Sequence, residues 1–374
     1  MSLSRRVFLK QASIAGVGFV GLRQFIAHPA FAETAAAGDM QAVGYGSLAP
    51  GPESILSLPK GFSMKVISRR HEPMADGLLI PGMQDGMAAF PAEDGRIVLV
   101  CNHENEPDWV QSSPFGSRNE RLRQINRSLV YDIRDGKQPC IGGTTNIVYN
   151  PKTGEVENEF LSLIGTERNC AGGPTPWGTW ITCEETAQTA TDGFRQDHGY
   201  NFEVPATTKP GLVEPIPLKA MGRFRGEAIA VDEPSGVIYQ SEDLADGCFY
   251  RFIPKVKGKP AEGGTLQALV VKGQPVRDTR NWSREVEPFP IGQSFDASWV
   301  TLKDVESPQD DLRYQAQEKG AAIFARMEGM WASQGEIYFA CTSGGPETWG
   351  QVFRYIPSPY EGTAQESSSP GKLE

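Results

Sequence analysis

Histidine is scarce in this chain: 4 in 374 residues. One of them, His28, lies in the N-terminal segment, which leaves His71, His103 and His198. A zinc centre built from two or three histidines is therefore disfavoured. A Ser-His-Asp arrangement has few possible bases, and no G-x-S-x-G string accompanies them. There is no Walker loop and no dinucleotide fingerprint, which removes the commonest nucleotide sites. The 6 cysteines are too few for a dense disulfide framework in a chain this long. Positive charge is also in deficit, with 36 Lys and Arg against 46 Asp and Glu and a net charge of −10. An acidic surface argues against nucleic acid as a partner and suits cation binding. Long apolar runs are missing too. The run from Ala12 to Ala27 is short and broken by Arg23, so it makes no permanent membrane anchor.

What is present begins at the N-terminus. Ser4–Lys10 reads SRRVFLK, a modest apolar run follows, and Ala30-Phe31-Ala32 has the form of a cleavage site. That order reads as a twin-arginine export signal over residues 1–32, which implies a transient partnership with the twin-arginine translocation machinery and a periplasmic or secreted destination. Its removal takes away basic residues and no acids, so the remaining chain is more acidic still. Residues 33–60 read as a linker, and residues 61–374 as the folded domain. The 41 glycines and 28 prolines suit a turn-rich all-β protein.

A repeat runs through that domain. Its first segment opens with a ligand-capable residue and a small one: Asp85-Gly86, Cys170-Ala171, Glu227-Ala228 and Glu328-Gly329. Its second is a glycine followed by alternating β-formers ending in polar residues, at Gly95, Gly178, Gly236 and Gly335. Its third is rich in aromatics: SLVYDI at Ser128, GYNFEVP at Gly199, GCFYRFIP at Gly247 and GQVFRYIP at Gly350. Fourth strands are expected near Asn146 and Thr265, and PQDDLRYQAQEKGAAIFAR (308–326) has helical composition. Short strands recurring four times in one order predict a β-propeller with about four recognisable blades. A β-sandwich explains the alternation but not the order.

In a propeller the first strand of each blade lines the axis. Asp85, Cys170, Glu227 and Glu328 are then expected at one mouth, with Glu104, Glu185 and Asp243 a layer further out. Cys101, Cys183 and Cys341 fall at matching places in the second strands and read as packing residues. Crowded carboxylates need cations to neutralise them. Oxygen ligands suit Ca²⁺ or Mg²⁺ and a thiolate suits a softer metal, so a mixed-metal cluster is expected. Arg326, two residues before Glu328, is placed either to hold a phosphate or sulfate or to form a structural ion pair.

The strings NCAGGPTPWGTWITCEE (169–185), GRFRGEAIAVDEPSGVIYQSED (222–243) and ARMEGMW (325–331) resemble the PhoX family of secreted alkaline phosphatases, and the resemblance runs from about Gly61 to the end. It implies a β-propeller with a cluster of iron and calcium, and metal-assisted hydrolysis of small-molecule phosphate monoesters. By motif, Cys170 resembles the thiolate iron ligand. Glu185 (rather than Glu184), Glu227 and Glu328 resemble metal ligands, and Arg326 resembles the arginine that holds the substrate phosphate. Asp85 rests on the repeat alone, and Asn102 matches a string of the family without a role attached.

Two features depart from the family. Gly226 stands where a histidine is frequent, and no aspartate-asparagine-leucine string, with its further metal-binding aspartate, follows the fourth repeat. The closing TAQESSSPGKLE reads as an interrupted linker. The expectation is then an incomplete, open ring of a six-bladed type, with exposed sheet edges and uncertain activity. The competing functions are a calcium-dependent lactonase-like propeller, which has no use for the Cys170 thiolate, and a non-catalytic periplasmic calcium-binding propeller.

Overall fold

The computed structural model describes residues 45–51, 55–283 and 288–374; the export signal read at residues 1–32 lies outside them. The chain divides into two compact units, Met1–Arg69 and Arg70–Glu374. In the first, β1 (Leu48–Pro50) pairs antiparallel with β2 (Ser57–Pro59). The stretch from Gly61 to Ile67 forms no ladder.

The second unit is all-β apart from one helix of seven residues and several 3₁₀ turns. Strands β3 (Gln84–Pro91), β4 (Ile97–His103), β5 (Gly142–Asn150) and β6 (Glu155–Thr166) form a four-stranded antiparallel sheet in chain order. Strands β7 (Asn169–Pro174), β8 (Thr179–Glu184) and β9 (Asn201–Pro205) form a three-stranded one. Then follow β10 (Gly226–Val231), β11 (Ile238–Glu242), β12 (Tyr250–Pro254), β13 (Gly264–Val271) and β14 (Phe295–Thr301). Helix α1 (Leu312–Glu318) falls inside the insert of helical composition. The chain closes with β15 (Met327–Ser333), β16 (Glu336–Cys341), β17 (Gln351–Ile356) and β18 (Lys372–Leu373). The hairpin β15–β16 turns on Gln334 (φ 53°) and Gly335 (φ 77°). Two adjacent positive φ values give the turn whose twist matches the strands it joins.

Each sheet buries one face against the next. Phe90, Val98, Val100 and Leu163 of the first sheet share a core with Trp180, Phe202 and Val204 of the second. Ile181 and Cys183 of the second pack with Ile229, Ile238 and Tyr250. Tyr239, Phe249 and Leu269 pack with Phe339, Phe353 and Tyr355. Cys101, Cys183 and Cys341 are all buried, as a packing role requires. The first strands β3, β7, β10 and β15 lie against one another in that order. They come close enough that a Cβ on Gly86 would meet the Ala171 backbone at 2.7 Å, and one on Gly173 would meet Ile229 O at 2.2 Å. This explains the small residue at Gly86; a Cβ on Gly329 would meet nothing within 4 Å.

Two expectations are corrected. The SLVYDI stretch forms no strand. Arg127–Leu129 is a 3₁₀ turn whose start is capped by the Asn126 side chain accepting from Ser128 N. The side chain thereby takes a backbone donor that a ladder would need; β5 and β6 occupy the outer places instead. The third and fourth repeats also do not stand as separate sheets. They join in a nine-stranded sheet of order β10-β11-β12-β13-β14-β18-β17-β16-β15. The closing residues, read as a linker, carry β18, which pairs with both β14 and β17 and buries Leu373. An unpaired outer edge on β13 or β17 would expose a row of backbone donors and acceptors. Strands β14 and β18 take up those edges, so the edges expected to be exposed are covered at this junction.

Candidate metal centre

All four first-strand hairpins carry the same irregularity. The register slips between Gln84 and Met87 in β3, between Asn169 and Gly172 in β7, between Gly226 and Ile229 in β10, and between Met327 and Met330 in β15. Asp85, Cys170, Glu227 and Glu328 each lie inside one of these bulges. A bulge leaves a residue out of the ladder and re-aims its side chain. Cys170 therefore sits on a bulged strand. Two residues before Asp85, Cys170 and Glu328 stand Met83, Arg168 and Arg326, with φ of 53°, 49° and 51°. Arg326 precedes β15 in this left-handed conformation, so its proximity to Glu328 comes from the turn and not from a shared strand face.

The bulges bring the side chains together. Cys170 Sγ donates to Glu227 Oε1 across 3.2 Å. Ligand atoms of Cys170, Glu185 and Glu227 lie within 4.8 Å of one another, as do those of Asp85, Glu104 and Cys170, so the sulfur is common to both groups. Arg326 donates to Asp243 Oδ2 at 2.6 Å and reaches Glu328 Oε1 at 3.5 Å. On the other side, Arg168 Nη2 lies 3.2 Å from Glu185 Oε2 and 3.6 Å from Glu104 Oε1. Sequence reading missed Arg168, although its offset from Cys170 equals that of Arg326 from Glu328. Asn102 also gains a role. Its amide nitrogen donates to the carbonyls of Cys170 (3.1 Å) and Ala171 (2.6 Å), while its oxygen accepts from the Trp180 indole (2.9 Å). It thus fixes the backbone of the bulge that presents the thiol.

The two adjacent glutamates face different ways. Glu184 is fully buried and spent on structure, accepting from Glu167 N, Gly199 N and Tyr200 N and contacting His198 Nδ1 at 2.7 Å. Glu185 faces the cluster.

The electrostatics are those of a site in want of positive charge. Burial pushes the Glu227 carboxyl up to about 9, with the neighbouring Glu328 adding to it and the Cys170 hydrogen bond opposing it. Burial raises Glu185 to about 7; Arg168 opposes, and Asp243, Glu104 and Glu328 reinforce. Asp85, Glu104 and Glu328 are raised mainly by burial as well. The Cys170 thiol is pushed far up by burial, then by the charges of Glu227 and Asp85. Glu227 Oε2 and Asp243 Oδ1 are buried with no hydrogen-bond partner in the protein. Buried polar atoms are rarely left so. A cation among them would satisfy both and reverse the sign of every shift by favouring the anions. One thiol amid carboxylate oxygens fits a borderline transition metal at the sulfur and hard cations at the oxygens.

The fold and site define an all-β protein whose strand bulges gather acids, a thiol and two guanidinium groups at one end of its packed first strands. The chain belongs to the alkaline phosphatase PhoX family, whose sequence profile matches residues 43–368; by that membership it is a phosphatase. Among solved structures, the chain is similar to Pseudomonas fluorescens PhoX in complex with vanadate, a transition-state analogue. The identity is 18%, the match covers 85% of this chain and 73% of that one, and the TM-score is 0.57. That likeness concerns the fold. A candidate 6-phosphogluconolactonase from Bacteroides uniformis matches at 12% identity over 74% of this chain and 68% of that one, with a TM-score of 0.28, too low to bear on the argument. No curated protein sequence matches the chain.

Proposed function

We propose that the chain hydrolyses small-molecule phosphate monoesters at the mouth formed by the four bulges, with iron and calcium held there by Cys170, Glu185, Glu227, Glu328 and Asp85. The observation that carries this reading is the 3.2 Å approach of Cys170 to Glu227, with the other Glu227 oxygen buried and unpartnered. Neither group is stable as an anion there without a cation. Bound cations supply charge neutralisation at the phosphate oxygens and make bound water more acidic.

The protein's own groups hold the substrate. Arg326 is half-exposed, so its guanidinium is free on one side to donate two parallel hydrogen bonds to phosphate oxygens. Asp243 and Glu328 fix its plane and keep it charged. Arg168 holds Glu185 and Glu104 at the sulfur side, which leaves the carboxylates pre-oriented before ligands arrive. Asn102 keeps the Cys170 bulge from relaxing.

The four first strands packed in sequence, each opening a meander, support a propeller arrangement within residues 61–374, with the third and fourth blades fused at their outer edges. The N-terminal residues 1–32 support export by the twin-arginine route ahead of a linker at 33–60, and a periplasmic or secreted location. Among the described residues no helix is long and apolar enough to cross a membrane.

The test is metal analysis of the exported protein paired with hydrolysis of p-nitrophenyl phosphate at alkaline pH. Iron with turnover is expected. Calcium alone with lactone opening, or calcium without any turnover, would replace this reading by one of the two competing functions.

A further inference from the structure

Away from the bulges, a second group of ligand-type side chains is completely enclosed. Asp132, Cys140 and His198 present one ligand atom each, all within 4.8 Å of one another, and all three residues are buried. Cys140 and Cys170 are the only cysteines among the described residues that join such a group. Glu184, the carboxylate that faces away from the mouth, takes the His198 Nδ1 proton at 2.7 Å. That hydrogen bond turns the Nε2 lone pair toward Asp132 and Cys140. A carboxylate behind a histidine, fixing its tautomer and orientation, is the usual support of a metal-binding imidazole. Asp132 is held in the same manner, with its oxygens accepting from the backbone N–H groups of Arg134 (2.6 Å), Arg195 (2.7 Å) and Gln196 (2.9 Å).

The spacings favour an ion over a shared proton. His198 Nε2 lies 3.4 Å from Asp132 Oδ2 and 3.9 Å from Cys140 Sγ. A proton shared on the Nε2 side would close that contact to about 2.8 Å, as Nδ1 already does to Glu184 at 2.7 Å. Tetrahedral coordination at zinc-ligand distances places nitrogen and oxygen about 3.3 Å apart, and nitrogen and sulfur about 3.6 Å apart. The observed separations lie at or a little beyond those edges. The charge count points the same way. Three buried carboxylates, Asp132, Glu167 and Glu184, surround one imidazole, and among the described residues no arginine or lysine forms a salt bridge with them. Glu167 Oε2 is also buried with no hydrogen-bond partner. Its carboxyl is raised by burial and lowered in turn by His198, which places it within electrostatic reach of the cluster. Tyr131 and Phe194 close the histidine edge-on, with ring centroids at 5.3 and 4.9 Å. An apolar wall of this kind keeps water out, as closed structural metal sites require.

We propose that Asp132, Cys140 and His198 form a closed structural site for a borderline divalent metal of the zinc class. The ion would tie the irregular 127–141 insert of the first sheet to His198, in the segment that leads into β9 of the second sheet. The site is independent of the phosphatase reading and shares no residue with the mouth.

The test uses the exported full chain, stripped of metal and titrated with Co²⁺ as a probe, in wild type and in Cys170→Ser, Cys140→Ala and Asp132→Asn variants. A thiolate-to-cobalt charge-transfer band is expected to persist in Cys170→Ser, because Cys140 supplies it. Cys140→Ala and Asp132→Asn are expected to bind one equivalent fewer per chain than wild type, with phosphatase metals unaltered. A Cys170→Ser protein with no such band, or variants at 140 and 132 that keep wild-type stoichiometry, overturns the proposal. If Cys140→Ala does not fold, the Cys170→Ser spectrum alone decides, since that protein retains Cys140.

Discussion

Two acidic clusters in this protein are similarly buried and behave oppositely. Near the C-terminus, Arg251 is enclosed by Glu361 and Glu366, with Nε donating to Gln267 at 2.8 Å and Nη2 to Glu366 at 2.8 Å. Glu361 also accepts from Tyr355 and from Ser358 N, and the guanidinium stacks over Trp299 at 4.3 Å. Neither glutamate nor the arginine has a buried polar atom without a partner. At the bulges, by contrast, Glu227 and Asp243 each keep one. The first cluster is complete as protein and anchors residues 358–373 to β12 and β17. The second is incomplete as protein. Acid density therefore does not identify a site; buried acids with unsatisfied oxygens do, because folding alone gives no return for keeping them.

The largest effect should come from breaking the incomplete cluster. Glu227→Gln is expected to lower kcat/KM by about 10²–10³-fold. The same change should leave the metal-stripped protein as stable as wild type or up to about 1 kcal/mol more so, as read by thermal melting. Breaking the complete cluster should do the reverse. Arg251→Met leaves two buried carboxylates unpaired and is expected to cost about 3–5 kcal/mol, measured by urea unfolding, with the activity of the folded fraction unchanged. Arg326→Ala should cost about 10²-fold in kcat/KM with little loss of metal, and Arg326→Lys should recover part of it.

A smaller, pH-resolved difference follows from the shifts. Glu227 is raised from 4.5 to about 9 and Glu185 from 4.5 to about 7. A carboxyl whose folded pKa is raised favours the folded state while it is protonated. Metal-stripped protein should therefore lose stability as pH climbs from about 4.5 toward 9, and Glu227→Gln should flatten the upper half of that decline. The metal-loaded protein should show the decline weakly, since cations hold both groups as anions throughout. The smallest effect is expected at Arg168→Met, about tenfold in kcat/KM, because the residue positions Glu185 and Glu104 without holding substrate.

The sequence made the repeat legible because each repeat couples a ligand-type residue to a small one, which at Gly86 the approach of the neighbouring first strand dictates. The convergence of Asp85, Cys170, Glu227 and Glu328 could be read from that offset alone. The bulges that aim them could not, since a one-residue register slip leaves no composition signal. Glu184 and Glu185 show the limit plainly: strand alternation says they face opposite sides, but not which side is the mouth. Strands β14 and β18 went unread because they belong to no repeat and exist to cover the edges of β13 and β17. The Asp132–Cys140–His198 group was hidden for a similar reason, as its members are dispersed and recur nowhere.

The most direct measurement is the iron content of exported Cys170→Ser protein beside wild type, with circular dichroism and melting taken on the same samples. If the bulges exist to gather metal ligands, iron falls to background and phosphatase activity falls with it while the strand signature persists. Iron retained at the wild-type level in a folded Cys170→Ser protein would contradict the account, because the sulfur common to both ligand groups would then hold nothing.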